Sequence, residues 1–327
     1  MTRWVVLLLA PIAAAQTYNI QDLGTFAGGS VSQGNAINQG GQVVGYARFA
    51  NFNAHGFLWT ERSGMEDLGA IPPQSNFSSA QAINSWGDIA GYSTSGPEAD
   101  YHAVLWMQGR LLDLGSGEAT GINDERVVVG FANSHAFLWT QATGTIDLGT
   151  LPGGNYSQAF AVNQRGDIAG YSDCANYSGC AFLRPRSEEM QALPVLEGGY
   201  SASANAINDR GDVAGGSSTS TVSSHPVIWI DGSVEDLGVL ANQGWGSAFG
   251  INNYRQVVGW SGYLAFIWSQ EEGMQNLNDL IPANSGWQLQ IATGINDGGQ
   301  ITGQGTINGQ LHGFLLTPTS NRPKTAP

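Results

Sequence analysis

Three groups of residues in this sequence could do chemistry beyond packing. They are five histidines (His55, His102, His135, His225 and His312), two cysteines (Cys174 and Cys180) and two series of aspartates. The first aspartate series is Asp22, Asp67, Asp113, Asp147 and Asp236; the second is Asp88, Asp167 and Asp212. Imidazoles bind metals or move protons. Paired carboxylates about 5 to 9 Å apart hydrolyse glycosidic bonds, and clustered ones hold calcium. Each of these uses needs one singular arrangement. Here every histidine stands immediately before the small residue and apolar run of a recurring element, as in His55-Gly56-Phe57 and His135-Ala136-Phe137. The aspartates recur in the same regular way. One copy per repeat is held apart from the next by the repeat itself. The histidines are therefore expected to tie strands together through ring nitrogens or to satisfy buried backbone groups, and the aspartates to accept hydrogen bonds at turns and strand ends. No catalytic residue, metal-ligand set or cofactor is assigned. No G-x-S-x-G elbow, P-loop or dinucleotide fingerprint is present. The arginines are scattered over different strands and loops. Cys180 occupies the histidine position of its unit and Cys174 lies six residues earlier, which predicts a local disulfide.

The elements that position these residues come from an internal repeat. Its core reads A-I-N-x-x-G-x-V-V-G, with the asparagine at Asn38, Asn84, Asn123, Asn163, Asn208, Asn252 and Asn296. An apolar element such as Gly56-Trp59 or Ala265-Trp268 follows each core, and a further element such as Met65-Gly69 or Val234-Gly238 follows that. Each unit thus holds four short strands. Abundant glycine, β-branched and aromatic residues with few charges agree with strands joined by tight turns. Asn opens and Gly closes the turn between strands one and two. Arg126 and Arg255 replace that glycine in two units, where a strained or differently shaped turn is expected. The residue before each Ile or Val of strand one is always Ala or Gly, which suits the crowded strand nearest the axis of a propeller.

Four strands in about 40 to 45 residues is the propeller period. The fold class predicted is all-β, a seven-bladed β-propeller with four-stranded blades. The seventh unit lacks a fourth strand, while an unattached copy, Ile20-Gln21-Asp22-Leu23-Gly24, precedes the first. The N-terminal strand is therefore expected to pair with the last blade and close the ring.

Residues 1-15 combine Arg3, a short apolar run and Ala13-Ala14-Ala15, the order of a cleaved secretory signal. The run is shorter than the roughly 20 apolar residues of a membrane span, and no later segment is long enough. Residues 16-316 form the propeller domain, and residues 317-327, rich in Thr and Pro, read as a disordered tail. A net charge of −14 disfavours nucleic acid as a partner.

With these motifs placed, the chain resembles the HAF-repeat family of extracellular bacterial proteins. His135-Ala136-Phe137 matches the family's tripeptide, and Asp147-Leu148-Gly149-Thr150-Leu151-Pro152-Gly153-Gly154 matches its D-L-G-T-L-x-G-G element. The resemblance spans about residues 18 to 316 and implies an exported bacterial protein with no established reaction; relatives often end in a sorting segment with a transmembrane helix, none is visible in this sequence, and release from the cell is expected over anchoring.

The function expected is that of a non-enzymatic extracellular binding or scaffold module, a monomer whose partner is extracellular polysaccharide or cell-surface material. The alternative is an exported glycan-acting propeller enzyme, a hydrolase or lyase. The ligand-binding candidates are the aromatics Phe77, Tyr156, Tyr200, Trp245 and Trp287, which lie in the connections leading into strand one. Flat apolar groups among hydroxyls and amides suit sugar rings or peptide segments.

Overall fold

The computed structural model describes residues 16–72, 76–94, 100–175, 177–221, 223–241 and 243–320. Residues 1–15, read above as a secretory signal, and residues 321–327 lie outside them. Seven antiparallel four-stranded sheets make up the fold. The innermost strands are Ser32–Ile37, Ser78–Ile83, Glu118–Ile122, Ser157–Val162, Ala202–Ile207, Gly246–Ile251 and Trp287–Ile295, which define blades 1 to 7. In blade 1 the later strands are Val43–Arg48, Ala54–Thr60 and Gly64–Asp67, paired in sequence order.

Blade 7 takes its outer strand from the start of the chain. Tyr18–Asp22 pairs antiparallel with Gln310–Pro318, in the register Tyr18↔Pro318 to Asp22↔Phe314. The ring closes as the missing fourth strand predicts. The third strand of blade 7 runs to Pro318, and Thr319 still donates its N–H to the Thr17 carbonyl at 2.9 Å, so pairing continues past residue 316.

The repeated asparagines do more than shape a hairpin. In six units Oδ1 accepts the N–H groups of the residues two and four further on, as Asn38 does from Gly40 and Gln42 at 3.0 Å, and in blade 7 Asn296 accepts from Gln300. Nδ2 then donates to the backbone carbonyl of the next blade's asparagine. The series runs from Asn38 to Asn84, Asn123, Asn163, Asn208, Asn252 and Asn296, and from Asn296 back to Asn38. All seven asparagines are buried, so these amides find their partners inside the protein.

Every innermost strand also carries a bulge three residues before its asparagine, at Asn35, Gln81, Thr120, Phe160, Asn205, Phe249 and Thr293. A bulge re-aims one side chain out of the pleat. Four of the bulged side chains reach the next blade: Asn35, Thr120, Asn205 and Thr293 donate to the carbonyls of Ala80, Ala159, Ala248 and Gly34. The small residue that follows sits where neighbouring blades lie close together. A Cβ on Gly250 would stand 3.2 Å from Gly294 Cα.

Arg126 and Arg255 correct part of the turn expectation. Their turns have the same shape as the others, with φ of 59° and 57° where five units place a positive-φ glycine. A left-handed L-residue costs about 1 kcal/mol. In both cases the guanidinium bonds a buried carboxylate of the preceding blade, Asp88 for Arg126 at 2.7 Å and Asp212 for Arg255 at 2.8 Å. That pairing offsets the strain. Between blades the apolar side chains form wedge-shaped clusters, in one of which Leu105 of blade 2 meets Val128 and Phe137 of blade 3. The third-strand aromatics Phe57, Phe182, Phe266 and Phe314 are fully buried there. No helix is long and apolar enough to cross a membrane among the described residues.

Candidate functional site

The alternation of strand directions sends the inter-blade connections and the loops between strands two and three to one face. The two sets of loops are stitched together by the bridges Ala54↔Phe77 and Gly179↔Ser201. The remaining turns lie on the opposite face. Phe77, Tyr156, Tyr200, Trp245 and Trp287 thus enter blades 2, 4, 5, 6 and 7 separately, and the ring keeps them apart.

What the structure does bring together is four of the five connection aromatics, each with rings of its own blade. Phe77 lies 5.8 Å from Tyr92 and 6.5 Å from Tyr101 between ring centroids. Tyr156 lies 6.4 Å from Tyr171. Trp245 meets Trp260 edge-on at 4.4 Å and Tyr263 at 5.4 Å. Tyr200 has no ring partner among the described residues, because Gly216 occupies the second-strand position that is aromatic in blades 1, 2, 3, 4 and 6. Trp287 turns inward and packs against the cluster containing Phe314, at 6.2 Å.

Three exposed aromatics of this face escaped the sequence reading: Phe52, Tyr101 and Tyr263. They sit in or beside the loops between strands two and three, whose lengths vary, so no repeat position marks them. Phe52 and Tyr263 adopt φ of 67° and 74°. An aromatic among turn residues, as in Asn51-Phe52-Asn53 and Gly262-Tyr263, was the available signal.

A pocket of about 390 Å³ opens on this face between blades 1 and 2. Blade 1 contributes Gln33, Asn35, Tyr46 and Arg48; blade 2 contributes Ser79, Gln81 and Tyr92, with Phe77 from the connection. Burial, with the nearby Glu118 charge and Tyr101, pushes the Tyr92 phenol up to about 12. Burial likewise raises Tyr156, Tyr171 and the Glu118 carboxyl. Phenols held neutral offer hydroxyl donors and ring faces, groups suited to recognition.

The histidines have a different task. Each Nδ1 bonds the fourth-strand aspartate of its blade: His55 with Asp67, His102 with Asp113, His135 with Asp147, His225 with Asp236, and His312 with Asp22 across the chain ends. The distances run from 2.8 Å in blade 2 to 3.0 Å in blade 7. The aspartate also accepts the N–H of the glycine two residues on, as at Gly149. Strand tying is thus what the ring nitrogens do. The sequence held the matching signal. In blades 4 and 6, where Cys180 and Leu264 replace histidine, Ala192 and Asn276 replace aspartate. No group of three His, Cys, Asp or Glu residues is placed to hold a metal among the described residues. Cys174 and Cys180 are disulfide-bonded, with Cα atoms 6.1 Å apart across the hairpin of blade 4.

No protein-family model matches the chain, and no curated protein matches it in sequence. Solved structures match its fold at low identity. The extracellular domain of a one component system from B. thetaiotaomicron is similar with a TM-score of 0.57 and 11% identity over 93% of this chain, which spans 40% of that longer chain. A virginiamycin B lyase from Staphylococcus aureus aligns with a TM-score of 0.58 and 8% identity over 92% of this chain and 99% of the lyase. The propeller domain of the Trilobed protease from Pyrococcus furiosus aligns with a TM-score of 0.54 and 8% identity over 90% of this chain and 99% of its own; its topology is described as open velcro. At these identities the likeness concerns the propeller alone.

Proposed function

We propose that this chain is an exported, non-enzymatic propeller that binds extracellular saccharide on the face carrying its inter-blade loops. One observation carries the reading. Phe52, Tyr101, Tyr200, Trp245 and Tyr263 stand exposed on that face, and two of them are held in a backbone conformation that favours glycine. Exposed aromatic groups kept at a local conformational cost are better suited to stacking on a ligand than to packing. Sugar rings present C–H faces to such groups and hydroxyls to their phenol and amide neighbours. The Cys174–Cys180 disulfide supports an oxidising, extracytoplasmic location, in line with the secretory signal read in residues 1-15 and with the HAF-repeat resemblance.

The test is a binding screen of the mature protein against bacterial and plant polysaccharides, followed by variants. Trp245→Ala and Tyr263→Ala, at 42% and 71% exposure, are expected to weaken binding about tenfold or more while leaving the melting temperature within about 2 °C. Unchanged affinity in both variants would place the ligand elsewhere.

A further inference from the structure

The pocket between blades 1 and 2 differs from the rest of the loop face by its charge. Every other described arginine, from Arg62 to Arg255, lies in the turns and strand ends of the opposite face; Arg48, at the end of the second strand of blade 1, reaches the loop face. It also breaks the repeat, since Thr94 and Ser218 hold the same register position in blades 2 and 5. Arg126, Arg165, Arg186, Arg210 and Arg255 are engaged by carboxylates; Arg48, like Arg62, Arg110 and Arg184 of the opposite face, has no carboxylate partner among the described residues. A guanidinium in a pocket, without a carboxylate partner among the described residues and on a chain of net charge −14, offers local positive charge against the overall field.

The surrounding groups restrict the anion. Gln33 donates Nε2 to Asn35 Oδ1 at 3.1 Å, Asn35 donates to the Ala80 carbonyl at 2.8 Å, and Gln81 donates Nε2 to Ser79 Oγ at 2.9 Å. These bonds fix the amide planes and leave the Oε1 atoms of Gln33 and Gln81 as acceptors on the pocket wall. Tyr46, Phe77 and Tyr92 supply ring faces. The pocket therefore combines one cation, oriented acceptors for hydroxyl donors, and aromatic surface. Its volume of about 390 Å³ lies in the range of small-ligand sites.

We propose that this pocket binds a hexuronic acid residue of an acidic polysaccharide, with the carboxylate on the Arg48 guanidinium, the ring against the aromatic wall and the hydroxyls on the carbonyls of Gln33 and Gln81. The proposal rests on the saccharide-binding reading of the loop face and narrows it to one sugar class. A terminal carboxylate of a peptide would use the same cation. The lining favours the sugar, because carbonyl acceptors answer hydroxyl donors and no aliphatic side chain lines the pocket among the described residues.

The experiment is calorimetric titration of the mature protein with trigalacturonate, with a neutral galactose trisaccharide, and with a short peptide bearing a free C-terminal carboxylate. Trigalacturonate is expected to bind at least about tenfold more tightly than the neutral sugar. Arg48→Gln is expected to abolish that difference at an unchanged melting temperature, and Arg48→Lys to restore part of it. If acidic and neutral sugars bind equally and Arg48→Gln changes neither, or weakens both alike, the proposal fails while the saccharide reading stands. Binding of the peptide alone overturns it in favour of a peptide carboxylate. Binding of neither sugar, together with a negative polysaccharide screen, overturns both.

Discussion

Asn208 sits 4% exposed at the join between a turn and the neighbouring blade, and its side chain serves both. Oδ1 accepts from the N–H groups of Arg210 and Asp212, and Nδ2 donates to the Asn252 carbonyl at 3.1 Å. Asn208→Ala leaves several buried groups without partners, so a loss of about 2–4 kcal/mol is expected, read as a lowered urea midpoint at unchanged slope. Glu118 makes the opposite case, a group whose charge opposes folding. Burial raises its folded pKa above the unfolded value of about 4.3. Ionisation is then easier in the unfolded chain, so the destabilisation sets in as pH rises through the unfolded pKa and is complete above the folded one. Glu118→Gln should raise the melting temperature at pH 7 and lose most of that gain at pH 3.5. An equal gain at both pH values would show that ionisation is not the cause.

At the scale of the strand, the closure of blade 7 joins residues nearly the whole chain apart. Tyr18 and Leu23 are buried by the docking of the N-terminal strand, and Asp22 completes the fifth histidine–aspartate pair with His312. Deleting Gln16 to Thr25 removes this strand and bares the edge of Gln310–Pro318. A fall in melting temperature of more than about 10 °C, with aggregation at the exposed edge, is expected. An unchanged melting temperature would show that the three remaining strands suffice. The disulfide of blade 4 acts more locally. It bridges a loop of only six residues' separation, for which the chain-entropy model gives roughly 2 kcal/mol.

Across the whole molecule the two faces divide their work. The turn face carries the closed series of asparagine bonds and most of the described arginines, of which Arg126, Arg165, Arg210 and Arg255 pair with Asp88, Asp167 and Asp212. The asparagine bonds and the pairs Arg126–Asp88 and Arg255–Asp212 hold blade to blade, while Arg165–Asp167 and Arg210–Asp212 brace turns within one blade. On the loop face the connections vary in length and composition from blade to blade, and the exposed aromatics and Arg48 stand at its surface. A rigid ring with a variable face is the arrangement in which loops carry recognition.

Blade number, strand order, ring closure and the Cys174–Cys180 bond were legible in the sequence, because each depends on local pattern or on a count of repeats. The histidine–aspartate pairs were legible too, through their joint absence from blades 4 and 6, once strands three and four are known to pair. The inter-blade bonds of the seven asparagines were not. A hairpin signal explains Asn at those positions completely, and a bond between residues about 40 apart appears only when the wedge geometry sets each turn beside the next. The same holds for the pocket. Gln33, Arg48, Gln81 and Tyr92 carry no shared motif, and only the curvature of the ring brings the innermost strand of one blade against that of the next to make a single wall.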